Sequence, residues 1–190
     1  YFQQEKTLNS PKRILEGYAS RAYDQGVGRG IWFVSGADID KAAALAGSMA
    51  ADRQADIWSG IGLASCYAGP ADDSVFLDGY RLAGPNGEWF AQGIAFACSA
   101  RISDQSMPEA IRTAINSLWG MEPEALAALV DEFRQSNAAG ARSDRPRYEA
   151  WRHCIAEAFV QNITERSRGD GEGIFSPQEA VGRDIDKQSA

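Results

Sequence analysis

Apolar and polar positions alternate along this chain in a helical rhythm punctuated by glycine and proline. Asp38-Ile39-Asp40-Lys41-Ala42-Ala43-Ala44-Leu45-Ala46 opens on a carboxylate suited to cap a helix and continues in strong helix formers. Ser74 to Ala83 predicts a second helix, ended by Gly84-Pro85, where a helix stop meets a residue that cannot extend it. Ser106-Met107-Pro108 introduces a third over Glu109 to Trp119, closed by Gly120. Pro123 to Gln135 places Leu126, Leu129, Val130 and Phe133 on one face. After a loop over 137–146, a helix from Arg147 to about Thr164 carries Trp151, Ile155, Phe159 and Asn162 along one side.

Three stretches of another kind lie among these. Gln25-Gly26-Val27-Gly28-Arg29-Gly30-Ile31-Trp32-Phe33, Ser59-Gly60-Ile61-Gly62-Leu63-Ala64-Ser65-Cys66-Tyr67 and Gln92-Gly93-Ile94-Ala95-Phe96-Ala97-Cys98-Ser99-Ala100 repeat small and aliphatic residues in step. Their leading glycines stand at 26, 60 and 93, a period close to the length of a helix-turn-helix unit. The expected fold is all-α: stacked helical hairpin repeats of about 34 residues, each a small-residue helix followed by an ordinary one, in one compact helical domain of about eight helices without a sheet. The first helix is expected from Ser10-Pro11, with proline in its favoured first turn. Glycine inside a helix costs roughly 1 kcal/mol relative to alanine, so these glycines need an offset. Close approach of neighbouring backbones supplies one, with Trp32, Trp58, Trp89 and Phe96 filling the space beside them.

Residues 10–164 form the expected helical domain. Residues 1–9, opening on Tyr1-Phe2-Gln3 without methionine, read as a tag remnant or flexible start, and 165–190 as a polar tail with at most a short turn at Ser176-Pro177.

Composition narrows the partners. The 190 residues are 44% hydrophobic and 24% charged, the balance of a globular protein and not of a disordered one. The net charge of −7 is concentrated in residues 56–135, which repels phosphate backbones and anionic headgroups, so neither nucleic acid nor a membrane surface is expected as a partner. No apolar run approaches the ~18 residues of a membrane span, and cytoplasmic localisation is the default. Cys66, Cys98 and Cys154 form no C-x-x-C pair, so reduced thiols are expected rather than a disulfide framework or zinc site.

The chemistry-bearing motifs are sparse. The glycine runs lack the strand-turn-helix context of a dinucleotide fingerprint, and no Gly-Lys-Ser/Thr follows them. One histidine, His153, cannot furnish the imidazole-rich set of most metal enzymes, and the serine nucleophile elbow is absent. No cofactor and no metal are expected. The stronger candidates are the polar residues inside the repeat blocks: Arg29, Asp56, Gln92 and Arg101, which must be paired if buried. One reading is an Arg29–Asp56 salt bridge between repeats. The other is a polar cluster at the mouth of an apolar groove lined by Trp32, Trp58, Tyr67 and Phe96, suited to orient a long conjugated ligand.

The blocks Arg29 to Asp38, Ala55 to Ala64, Tyr67-Ala68-Gly69 and Ala91 to Ala97, with Tyr148-Glu149-Ala150-Trp151-Arg152, resemble a family of uncharacterised proteins from enediyne polyketide gene clusters, the domain of unknown function 1702. The resemblance covers about residues 13–160 and corresponds to the C-terminal half of such proteins. It implies an accessory role in antibiotic natural-product biosynthesis, with a hydrophobic polyketide-derived small molecule or polyketide biosynthesis enzymes as partners. The alternative it implies is a cofactor-free isomerase or cyclase acting on a linear polyene precursor. Because the preceding half has a similar glycine-rich helix, the first helix here presents a face that another chain, a second copy included, could cover. The resemblance supplies no catalytic residue.

Overall fold

A computed structural model describes residues 17–69, 74–138 and 146–169, and among these it holds eight α-helices and no strand. They are α1 (Tyr18–Val34), α2 (Ile39–Gly47), α3 (Ala51–Ala68), α4 (Val75–Ala83), α5 (Gly87–Ser103), α6 (Glu109–Trp119), α7 (Pro123–Ala138) and α8 (Arg147–Gly169), with a 3-10 turn over Gly84–Asn86. The protein is all-α, as the hydrophobic period predicts. The expected start at Ser10-Pro11, the expected flexible first residues and the expected turn at Ser176-Pro177 lie outside the described residues.

Local chemistry sets the boundaries. Asp38 caps α2 by accepting from the backbone N–H of Lys41 at 3.1 Å. Gly120 closes α6 in the left-handed region, φ +63°, where a residue with a Cβ is strained. Two boundaries fall later than the sequence suggests: α7 runs to Ala138 and α8 to Gly169, so the helical region extends past Thr164. Gly17 precedes α1, outside the helix, at φ +58°.

The long helices α1, α3, α5 and α7 lie side by side in chain order, and the short helices α2, α4 and α6 touch one another in the same order. α8 packs across α5, α6 and α7. One hydrophobic core joins the layers through Ile31, Trp32, Ile57, Ile61, Phe76, Phe90, Ile94, Ile115, Trp119 and Phe159, all essentially inaccessible to water.

Glycine decides how closely the long helices approach. A Cβ built on Gly60 would stand 2.1 Å from the carbonyl oxygen of Gln25 in α1, and one on Gly28 2.0 Å from that of Ile57 in α3. The same geometry recurs across α3 and α5, where Gly62 meets the Phe90 carbonyl at 2.1 Å and Gly93 meets that of Ser59 at 2.0 Å. No side chain fits at such distances. Gly26 is different: nothing lies within 4 Å of its Cβ position.

A surface ion cluster staples α6 to α7. Arg112 donates from both terminal nitrogens to Glu124, each at 2.7 Å, and this hydrogen-bonded guanidinium lowers the Glu124 carboxyl from 4.5 to about 2. A depressed folded-state value means that the pair stabilises above the ordinary carboxylate range and loses that contribution as pH falls toward 2. The melting temperatures of wild type and Arg112→Gln are therefore expected to differ at pH 5 and to converge by pH 2. A gap that stays constant over that window would show that the ion pair carries no stability. Because the cluster is exposed, the gap is small.

Candidate functional site

The least ordinary feature of the interior is a set of charges. Arg152 on α8 has no solvent exposure, and Asp56, Gln92 and Glu149 around it are almost equally buried. Isolated ions at such a depth are prohibitively costly, so pairing is obligatory. The Arg152 Nη1 donates to Asp56 at 2.7 Å and to Glu149 at 3.0 Å, and its Nε donates to the Gln92 Oε1 at 3.2 Å. Arg21 on α1 donates to the second Asp56 oxygen at 2.9 Å and pairs with the Glu149 Oε1. Two guanidinium groups thus balance two carboxylates.

Uncharged partners extend the network. Ser59 donates to the Gln92 Oε1 at 2.8 Å, and Gln25 donates to Asp56 at 3.3 Å. Because the Gln92 Oε1 accepts from both Ser59 and Arg152, the amide orientation is determined: reversed, it would point its NH2 at the guanidinium. The Gln92 Nε2 and the Arg152 Nη2 are buried donors with no hydrogen-bond acceptor among the described residues. The Arg152 guanidinium lies over the Trp89 ring at 5.2 Å, a cation–π contact that occupies its face. The network therefore anchors the first two turns of α8 to α1, α3 and α5 simultaneously.

Next to this anchor is a ribbon of aromatic rings. Tyr148 and Trp151 on α8 meet Phe96 on α5 at centroid distances of 5.6 and 4.4 Å, and Tyr18 stands edge-on to Tyr148 at 6.2 Å. The indole N–H of Trp151 donates to the Val130 carbonyl at 2.8 Å. Burial pushes the Tyr148 hydroxyl above its usual value, against the pull of Arg152 and Arg29. Phe96 and Trp151 form one wall of a groove of about 540 Å³ between α5 and α7, continued by Ala100, Ile102, Ala127 and Val130.

The sequence-predicted residues are distributed differently from the single groove mouth expected of them. Asp56 and Gln92 meet in the buried network. Arg29 is exposed on α1 and forms no pair with Asp56, whose partners are Arg21, Gln25 and Arg152. The expected Arg29–Asp56 salt bridge is therefore replaced: Arg21 of α1 reaches Asp56 of α3, and Arg53 of α3 reaches Asp24 of α1 at 2.7 Å. Trp32 and Trp58 are core residues, Trp58 stacked edge-on to Phe90 at 5.8 Å. Tyr67 is 54% exposed at the end of α3, under the guanidinium of Arg101. Arg101 itself donates to the carbonyl oxygens of Cys66, Tyr67 and Ser106, satisfying the last turn of α3. Of the eight, only Phe96 lines the groove between α5 and α7.

Arg152, Glu149, Arg21 and Trp151 are the site residues that sequence reasoning missed. A signal existed for Arg152: it precedes Ile155 by three and Phe159 by seven, so it sits on the apolar stripe of α8, where a charge must be paired. Among the described residues no three His, Cys, Asp or Glu side chains cluster to hold a metal ion, and no helix is long and apolar enough to cross a membrane. Cys66 and Cys98 are buried, and burial pushes the Cys98 thiol up to about 12.

The family model of the protein of unknown function DUF1702 matches residues 1–159. The chain belongs to that family. The matched span takes in the whole of the network and the groove of this DUF1702 chain. No curated protein and no solved structure matches the chain.

Proposed function

We propose that this DUF1702 chain is a helical accessory protein of enediyne polyketide biosynthesis that binds a polyene intermediate in the groove between α5 and α7. Support for the pathway comes from the sequence resemblance. Support for a binding role comes from one observation: the groove is walled by Phe96 and Trp151 and continued by the apolar Ala100, Ile102, Ala127 and Val130. Its volume of about 540 Å³ is of the size that holds small molecules. The buried charges behind it are neutralised by one another and tie down the helix that carries Trp151, which favours a rigid receptor. A biosynthetic enzyme docking on the same face is the other partner of this reading. In this reading the hairpins formed by α1 to α6 stack as three units, the protein is cytoplasmic, and the exposed face of α1 is where a second copy would sit.

Native mass spectrometry of the protein co-expressed with its polyketide synthase tests the proposal. A polyene mass retained by wild type and lost from Ala100→Trp, which fills the groove, is the expected result. Repeated absence of any bound species would remove direct ligand handling and leave the docking role.

A second reading, a cofactor-free isomerase or cyclase, draws on Tyr148, whose ring stands beside both groove aromatics and whose hydroxyl donates to Gln25 at 3.5 Å and is pushed above its usual value by burial. It requires a changed polyene chromophore after incubation with wild type and none with Tyr148→Phe. Identical absorption spectra for the two would dismiss it.

A further inference from the structure

We propose that the groove between α5, α7 and α8 selects an uncharged, elongated hydrocarbon and rejects the same chain when it ends in a carboxylate. The proposal rests on the binding reading above and adds the charge state of the ligand. One guanidinium lines the groove, and it is already paired. Arg134, on the α7 rim, pairs with Asp131 on the same rim at 3.0 Å. Arg101, next to Ala100 and Ile102 in the chain, does not line it: its guanidinium donates to the Cys66 and Tyr67 carbonyls at the end of α3 and to the Ser106 carbonyl after α5. The remaining polar liners, Ser99 and Ser103, are neutral hydroxyls.

An entering carboxylate that turned to Arg134 would lie beside the Asp131 charge, and it would enter a protein of net charge −7. A hydrocarbon meets neither obstacle, and it gains the ring faces of Phe96 and Trp151 and the methyl surface of Ala100, Ala127 and Val130. Charge selection therefore resides in one exposed ion pair at the rim rather than in the floor of the groove.

The test uses two conjugated probes that fluoresce on entering an apolar site: diphenylhexatriene, which is neutral, and parinaric acid, ionised at pH 8. Wild type is expected to give saturable fluorescence with diphenylhexatriene and to bind parinaric acid about fivefold more weakly or worse. Asp131→Asn, which releases Arg134, is expected to raise parinaric acid affinity by about the same factor and to leave diphenylhexatriene unchanged. Ala100→Trp and the more exposed Ser103→Trp should each abolish both signals. Equal affinity for the two probes in wild type, or no response of parinaric acid to Asp131→Asn, overturns charge selection and leaves the binding reading standing. Saturable binding that survives both tryptophan variants, or no binding of either probe, overturns the groove itself.

Discussion

Arg152→Ala is expected to lower the free energy of unfolding by about 3–5 kcal/mol, a large part of the stability of a domain this size. The arginine has no exposure and holds Asp56 and Glu149 from a distance of 3.0 Å or less. Its removal leaves Arg21, a partly exposed side chain, as the remaining guanidinium partner of two buried carboxylates. The cost is the desolvation of those anions with only part of their compensation left. A triple variant, Arg152→Met with Asp56→Asn and Glu149→Gln, removes the charges together and should recover most of the loss, because an uncharged core of similar volume avoids the desolvation term. Urea denaturation followed by circular dichroism measures both. A loss below about 1 kcal/mol for Arg152→Ala, the level of an ordinary substitution, would mean that α8 is held by its apolar stripe alone. Failure of the triple variant to recover would mean that the cavity left by the side chain dominates.

Gly60→Leu is the second large effect, about 3 kcal/mol of destabilisation. The Cβ alone would lie 2.1 Å from the Gln25 carbonyl oxygen and 3.0 Å from the Arg29 nitrogen, both backbone atoms of α1 that cannot rotate aside. Accommodation requires the helices to separate, which strips contact from Val27, Ile31, Ile57 and Ile61 along the same crossing. Gly26→Ala is the internal control. Its Cβ meets nothing within 4 Å, so the substitution should stabilise by about 0.4–1 kcal/mol through helix propensity and the unfolded state. Thermal denaturation of the pair decides the matter, since in both a helical glycine gives way to a good helix former and a facing backbone stands against only one of the new Cβ atoms. Similar shifts in the two would refute the close-packing account.

The contrast between these two glycines shows where sequence reasoning ends. Gly26 and Gly60 occupy the same place in the recurring block, yet one lies against a carbonyl oxygen and the other against nothing. Spacing along the chain identifies small residues on a helix; it does not say which helix stands opposite. Arg29 and Arg21 make the same point. Both are arginines on α1, two turns apart, and choosing between them as the partner of Asp56 needs the axial register of α1 against α3, which depends on how the glycines seat.

The all-α class, the ends of α2, α4 and α6, and the use of glycine for close approach were determined by the sequence itself, because caps, stops and helical periodicity are local properties. The buried charge network and the groove were decided by tertiary structure. Arg152 reaches Asp56 across 96 positions and Gln92 across 60, and Phe96 meets Trp151 only when α8 crosses α5. Such long-range juxtapositions arise from the docking of whole helices, and no local pattern encodes the angle or the register at which a helix docks.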